Sequence, residues 1–224
     1  MLNKIDVYKS YEIYADVFAY PDDSLINKIE NVQRYLDINY PEAAKLFDDF
    51  TGFAKSVDLK SWEEIYTRSF DVQALTTLDL GYVLFGDDYK RGELLVNLNN
   101  EHKKAENSCG NELSDHLPNI LRLLAKLKDE ELRADIISLI LHPALRKIES
   151  EFDSKHIEKK SKVYRKHHRT IIERNESYGL IYRRTIQALL MMLEKDFSEI
   201  IGNTGNDKNF SNQITKELEI EKLG

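Results

Sequence analysis

The chain has 224 residues, 42% hydrophobic and 32% charged, with a formal net charge of -7. This is enough for one sizeable domain with a real core, and the composition excludes a disordered chain. The negative balance disfavours a general nucleic-acid binder, and nine glycines and four prolines are too few for the many turns of an all-β sandwich or barrel.

The predicted elements are helices throughout. Tyr8, Tyr11, Ile13, Tyr14, Val17 and Phe18 recur at three- and four-residue steps, an amphipathic first helix that Pro21 ends. Asp22, Asp23 and Ser24 open a second helix to about Ile38. Pro41 occupies an early-turn position of a third, with Ala44, Leu46, Phe47 and Phe50 behind it. Ser61 followed by Glu64 reads as a capping box opening a helix with Trp62, Ile65, Tyr66 and Phe70. Residues 71–86 are apolar and ambiguous: a short buried strand, a buried helix or an ordered loop. Gly86-Asp87-Asp88 turns the chain into a helix over 89–104.

A helix over 113–127 follows, with Leu117, Ile120, Leu121 and Leu124 at core spacing. Ser114 or Asp115 is its expected N-cap, since a short oxygen-bearing side chain accepts the free backbone N–H groups there. Another helix starts near Glu130 and meets Pro143, with Ile148 and Phe152 continuing the pattern. Ile157, Tyr164, Ile171 and Tyr178 repeat every seven residues in a very polar stretch. Ile181, Tyr182, Ile186, Leu189, Leu190 and Leu193 make a last core helix. The expected organisation is one all-α, single-domain bundle over 1–200 and a polar, flexible tail over 201–224.

No apolar run approaches the roughly 20 residues that span a bilayer, so no stable membrane insertion is expected. The charges at Lys4, Asp6, Lys9, Glu12 and Asp16 are not those of a signal peptide. The single cysteine, Cys109, forms neither an internal disulfide nor a CxxC pair, which fits a reducing cytoplasm. Charge is uneven: residues 155–174 hold eight Lys/Arg and two Glu, a basic segment on an acidic body.

Phosphate-cradling loops, GxSxG and HExxH are all missing. His167 and His168 are adjacent, so on a helix they point about 100° apart and do not readily share an ion. No catalytic residue, metal or cofactor is therefore assigned. Two other readings stay open. One is a small helical enzyme acting on a nucleotide or cofactor through Asp115 and His116. The other is a nucleic-acid or regulatory module built on 155–174.

Glu112-Leu113-Ser114-Asp115-His116-Leu117-Pro118 resembles the E-x-x-D-H-L-P signature of the NarJ/TorD/DmsD molybdoenzyme chaperones. Upstream, Tyr66-Thr67-Arg68-Ser69-Phe70-Asp71 resembles that family's Y-T-R-x-F-D, and Gly86-Asp87 with Arg91-Gly92 resembles its G-D…R-G step. The three strings stand in the family's order across about 60–125, nearest to the nitrate reductase branch. Many relatives carry prolines soon after the F-D pair, whereas this chain continues Val72-Gln73-Ala74-Leu75.

The resemblance implies a TorD-like helical fold, a cytoplasmic location and no catalysis. It also implies a partner: the N-terminal or leader segment of a molybdenum-cofactor catalytic subunit, held until the cofactor is inserted. The chaperone itself would be a monomer or weak homodimer. Ordering a free peptide costs about 2–5 kcal/mol, micromolar affinity needs about 8 kcal/mol net, and an exposed ion pair gives about 0–1 kcal/mol. An apolar groove must therefore do most of the binding. Tyr82, Phe85, Leu117 and Leu121 are the expected groove residues. Asp79, Asp87, Glu112 and Asp115 are the expected readers of a basic side chain, with His116 as a pH-sensitive neighbour.

Overall fold

The computed structural model describes residues 4–72, 74–152 and 179–203. Among them every regular element is helical, and the only β-pairing is a single bridge. The basic segment 155–174, the seven-residue repeat from Ile157 to Tyr178 and most of the tail lie outside the described residues.

Helix α1 (Lys4–Ala15) runs into a 3-10 turn (Asp16–Phe18), and α2 (Leu25–Asn39), α3 (Pro41–Ser56) and α4 (Leu59–Phe70) follow. Pro41 takes the first-turn position, as expected. The cap of α4 differs from expectation: Asp58, not Ser61, is the N-cap, and its carboxylate accepts the Ser61 N–H at 2.7 Å. Glu64, expected to close a capping box, instead pairs with Arg68 one turn on, at 2.6 Å. A carboxylate upstream of Ser61 thus takes the role that Ser61 was expected to fill.

Short α5 (Leu80–Phe85) and long α6 (Tyr89–Lys104) are joined through Gly86, whose φ of +66° is the left-handed region that glycine enters without steric cost. Helix α7 (Leu117–Lys126) begins four residues later than the sequence suggests. Neither Ser114 nor Asp115 caps it, because both side chains are engaged elsewhere. The Ser114 hydroxyl donates to the Leu95 carbonyl at 3.1 Å, and Asp115 takes the contacts described below. His116 stands at the cap position with no side-chain cap bond.

Asp129 caps α8 (Glu130–Asp135), which continues as a π-helical run (Ile136–Leu141) into α9 (His142–Glu151). Pro143, which the sequence pattern meets and continues beyond, lies inside this rod. In a regular α-helix a proline loses one bond and its ring collides with the carbonyl four residues back. Here the ladder widens just upstream, with the His142 N–H reaching the Ile137 carbonyl. Helix α10 (Gly179–Asp196) and a last turn, α11 (Ser198–Asn203), close the described chain.

One core holds these elements together. Helix α1 packs along α7, and α10 along α3. Tyr182 of α10 is fully buried at the centre, its ring 4.7 Å from that of Phe70, 5.5 Å from Phe50 and 5.9 Å from Trp62. Aromatic rings meeting at steep angles in a water-free interior add attraction beyond their burial. This cluster fixes the end of α4, where Tyr66 and Phe70 turn from core to surface.

Candidate functional site

The site begins with the alternation of extended chain. In a strand, successive side chains point to opposite faces. Leu78-Asp79-Leu80 and Asp115-His116-Leu117 pair in antiparallel fashion around the Asp79–His116 bridge. The Leu80 N–H donates to the Asp115 carbonyl at 3.0 Å, and the Leu117 N–H to the Leu78 carbonyl at 2.9 Å. Leu78, Leu80, Asp115 and Leu117 are all fully buried, while Asp79 and His116 turn toward a groove. Asp115 and His116, weighed from sequence as a possible dyad, therefore face opposite ways, and His116 pairs with Asp79 instead.

A buried carboxylate needs donors. The Asp115 Oδ2 accepts the Gly81 N–H at 3.1 Å and the Arg91 Nε–H at 3.2 Å. A Cβ on residue 81 would lie 2.7 Å from that oxygen, so only glycine allows the approach. The second oxygen, Oδ1, is buried without a hydrogen-bond partner. Arg91 also donates through Nη2 to Asp79 Oδ2 at 3.0 Å, and its guanidinium lies 5.2 Å from the centre of the Tyr82 ring.

The two carboxyls titrate in opposite directions. Burial pushes the Asp115 proton affinity up, and the neighbouring Asp79 charge adds to it. Burial also raises Asp79, but the hydrogen bond and charge of His116, together with Arg91, outweigh it and hold Asp79 below the ordinary value. An ionised Asp79 only accepts, so His116 donates from Nδ1 to Asp79 Oδ1 at 3.0 Å.

The loop carrying Glu112 to His116 is anchored from beneath. Burial pushes the His102 imidazole toward its neutral form. Its Nε2–H donates to the Ser114 carbonyl at 2.9 Å, which leaves Nδ1 to accept from the Asn107 amide at 2.9 Å. The Asn119 amide donates to the Leu113 carbonyl at 2.9 Å and to that of Cys109 at 3.3 Å. Buried polar groups so fully paired make a rigid support.

Above this support lies a groove of about 980 Å³. Tyr20, Tyr66, Phe70, Leu75, Tyr82 and Val83 supply its apolar lining. Asp71, Asp79, Glu112 and Glu151 bring carboxylates, against Arg91, Lys147 and the His116 imidazole. Tyr20 and Tyr66 meet edge to face at 5.4 Å.

Of the residues expected from sequence, Asp79, Tyr82, Glu112 and His116 line this groove. Leu117 and Leu121 have no exposed surface; they are core beneath it, as is Asp115, so none of the three offers a face to a ligand. Phe85 and Asp87 are exposed but lie outside the lining. Tyr66, Phe70, Asp71 and Arg91 went unnamed as site residues, although each sits in one of the motif strings. Tyr20 and Lys147 carry no sequence signal.

Among the described residues no group of three or more His, Cys, Asp and Glu is placed to hold a metal ion, and no helix is long and apolar enough to cross a membrane. Comparison with known protein families finds no family model that matches this sequence, and comparison with curated proteins finds no significant match.

Proposed function

We propose that this protein is a non-enzymatic cytoplasmic assembly chaperone of the NarJ/TorD kind. In this reading its groove holds the N-terminal or leader segment of a molybdenum-cofactor catalytic subunit, of nitrate reductase type, until the cofactor is in place. One observation carries the reading. The three motif strings, far apart in sequence, converge on a single groove: Tyr66, Phe70 and Asp71 from the first, Arg91 from the second, and Glu112 and His116 from the third all line it. The all-helical fold is the one the resemblance implies.

The groove's chemistry suits such a client. Aromatic and aliphatic walls bury the apolar face of a peptide that orders on binding, and this burial supplies most of the affinity. Acidic groups among those walls, on a chain with a net charge of -7, attract a basic segment. Calorimetry with three synthetic peptides tests the reading: the native N-terminal segment, one with its apolar residues changed to Ser, and one with an Arg changed to Gln. The native peptide is expected to bind with micromolar or better affinity, the Ser peptide to lose most of it and the Gln peptide a smaller part. No heat with the native peptide, beside clear binding of a later segment of the same subunit, would replace leader capture with another mode of recognition.

One observation favours an acid–base enzyme as a second reading. Asp79 orients the His116 imidazole toward the groove, the arrangement of a general base. A screen of the purified protein for nucleotide and cofactor hydrolysis, lost in His116→Ala, is the result that would favour it.

A further inference from the structure

The groove's acidic residues are not equivalent. Asp79 already accepts from Arg91 and His116. Asp115 is sealed beneath, with Arg91 and the Gly81 N–H on one oxygen and no path to a ligand for the other. Asp87 is not part of the lining. Glu151 lines the groove as well but already has a contact of its own, so Asp71 and Glu112 remain. Both line the groove and are exposed, and neither makes a side-chain hydrogen bond or ion pair among the described residues.

The geometry points to Asp71 and Glu112 as the residues that select a cationic side chain in the bound segment, with arginine as the best match. This deepens the leader-capture reading and rests on it for the identity of the partner. Asp71 comes from the end of α4 and Glu112 from the loop before the bridge, and the same phenol marks their convergence. Tyr66 has its proton affinity raised, chiefly by burial and then by the charges of Glu112 and Asp71, with Asp79 after them. These carboxylates and Tyr66 line one groove, and the phenol is itself held in place by donating to the Phe18 carbonyl at 3.2 Å.

Tyr20 stands beside Tyr66 with 55% of its surface exposed, which gives a cation a π-face to lie on. A planar guanidinium can rest on a ring and still direct donors at two carboxylates; a lysine ammonium is a compact charge and does this less well. The groove's own cations do not fill the role. Arg91 is shared between Asp79 and Asp115, and Lys147 donates to the Leu84 carbonyl at 3.3 Å.

The test is a two-by-two calorimetric cycle. The native leader peptide and its Arg→Gln form are titrated into the wild-type protein and into D71N/E112Q. Both substitutions are at exposed positions, and circular dichroism checks that the variant is folded. The wild type is expected to lose about five- to tenfold in affinity with the Gln peptide at low salt, the scale of one or two exposed ion pairs. D71N/E112Q is expected to bind both peptides equally. A Lys form should fall between Arg and Gln.

If the variant loses as much as the wild type on Arg→Gln, the selector is elsewhere and the proposal is overturned, while leader capture stands. An unrelated amphipathic peptide carrying one arginine runs in parallel. If it binds with the same coupling and the leader does not, the cation selector stands and leader capture falls. If neither peptide binds, both are overturned.

Discussion

Two carboxyl groups in this molecule share a direction of shift and little else. Asp115 and Asp196 both hold their protons more tightly than an ordinary aspartate, and in both burial is the leading cause. Asp196, at the end of α10, accepts two phenols, Tyr11 at 2.7 Å and Tyr40 at 2.7 Å, and so ties α1 and the start of α3 to the last core helix. Asp115 takes a backbone N–H and an arginine that is shared with Asp79, and Asp79 in turn holds a groove-facing histidine. The first arrangement ends at its own donors. The second is one link in a chain that reaches the surface. A raised proton affinity therefore says that a carboxyl is buried, and its partners say whether anything follows from that.

The largest expected effect separates these two cases. Asp115→Ala leaves Gly81 without its acceptor and Arg91 with one carboxylate fewer. Removing one member of a buried charge pair costs about 3–5 kcal/mol, and urea unfolding should show a loss at the low end of that range, with peptide binding falling as well. A variant as stable as wild type would mean that Arg91 and Asp79 suffice without it.

Asp196→Asn sharpens the other side. A carboxyl whose folded value is raised above the ordinary value of about 3.9 adds stability that is fully present below that pH and fades as pH rises through the folded value. The stability advantage of wild type over Asp196→Asn should therefore shrink as pH rises from about 4 through the folded value, with the two proteins binding the peptide equally at each pH. A constant gap would show that burial does not raise the proton affinity of Asp196.

The smallest effect on folding belongs to His116→Ala. It removes one hydrogen bond at the groove edge, worth about 1 kcal/mol, yet it is expected to reduce client maturation in cells well beyond that loss. Activity that falls only where the protein itself unfolds would return His116 to a purely structural role.

Much of the scaffold was legible because helical spacing records local physics. The limits of α6, the proline at the start of α3 and the aromatic face around Tyr182 all follow from periodicity and turn residues. The cap of α4 was missed for a local reason, Asp58, whereas the errors around the groove share a cause, a partner distant in sequence. Ser114 and Asp115 look like caps, but Leu95, Gly81 and Arg91 claim their side chains. Leu117 and Leu121 look like groove residues because the motif includes them, yet they lie inward. Leu78-Asp79-Leu80 alternates in plain sight, but without its partner strand nothing showed which face was which. Asp71 and Arg91 were present in the motif strings as letters; only the folded chain brings them to the same groove.

The bridge between Asp79 and His116 is also a place where local opening can be read. Its two amide donors, Leu80 and Leu117, lie against fully buried side chains, and each gives up its hydrogen to solvent only when the bridge opens. The segment between its two arms carries all of α5 and α6, so local opening of the bridge is expected to loosen that groove wall. Isotope exchange at these two positions, faster than at core amides of α10, is the expected sign that the groove wall opens without global unfolding.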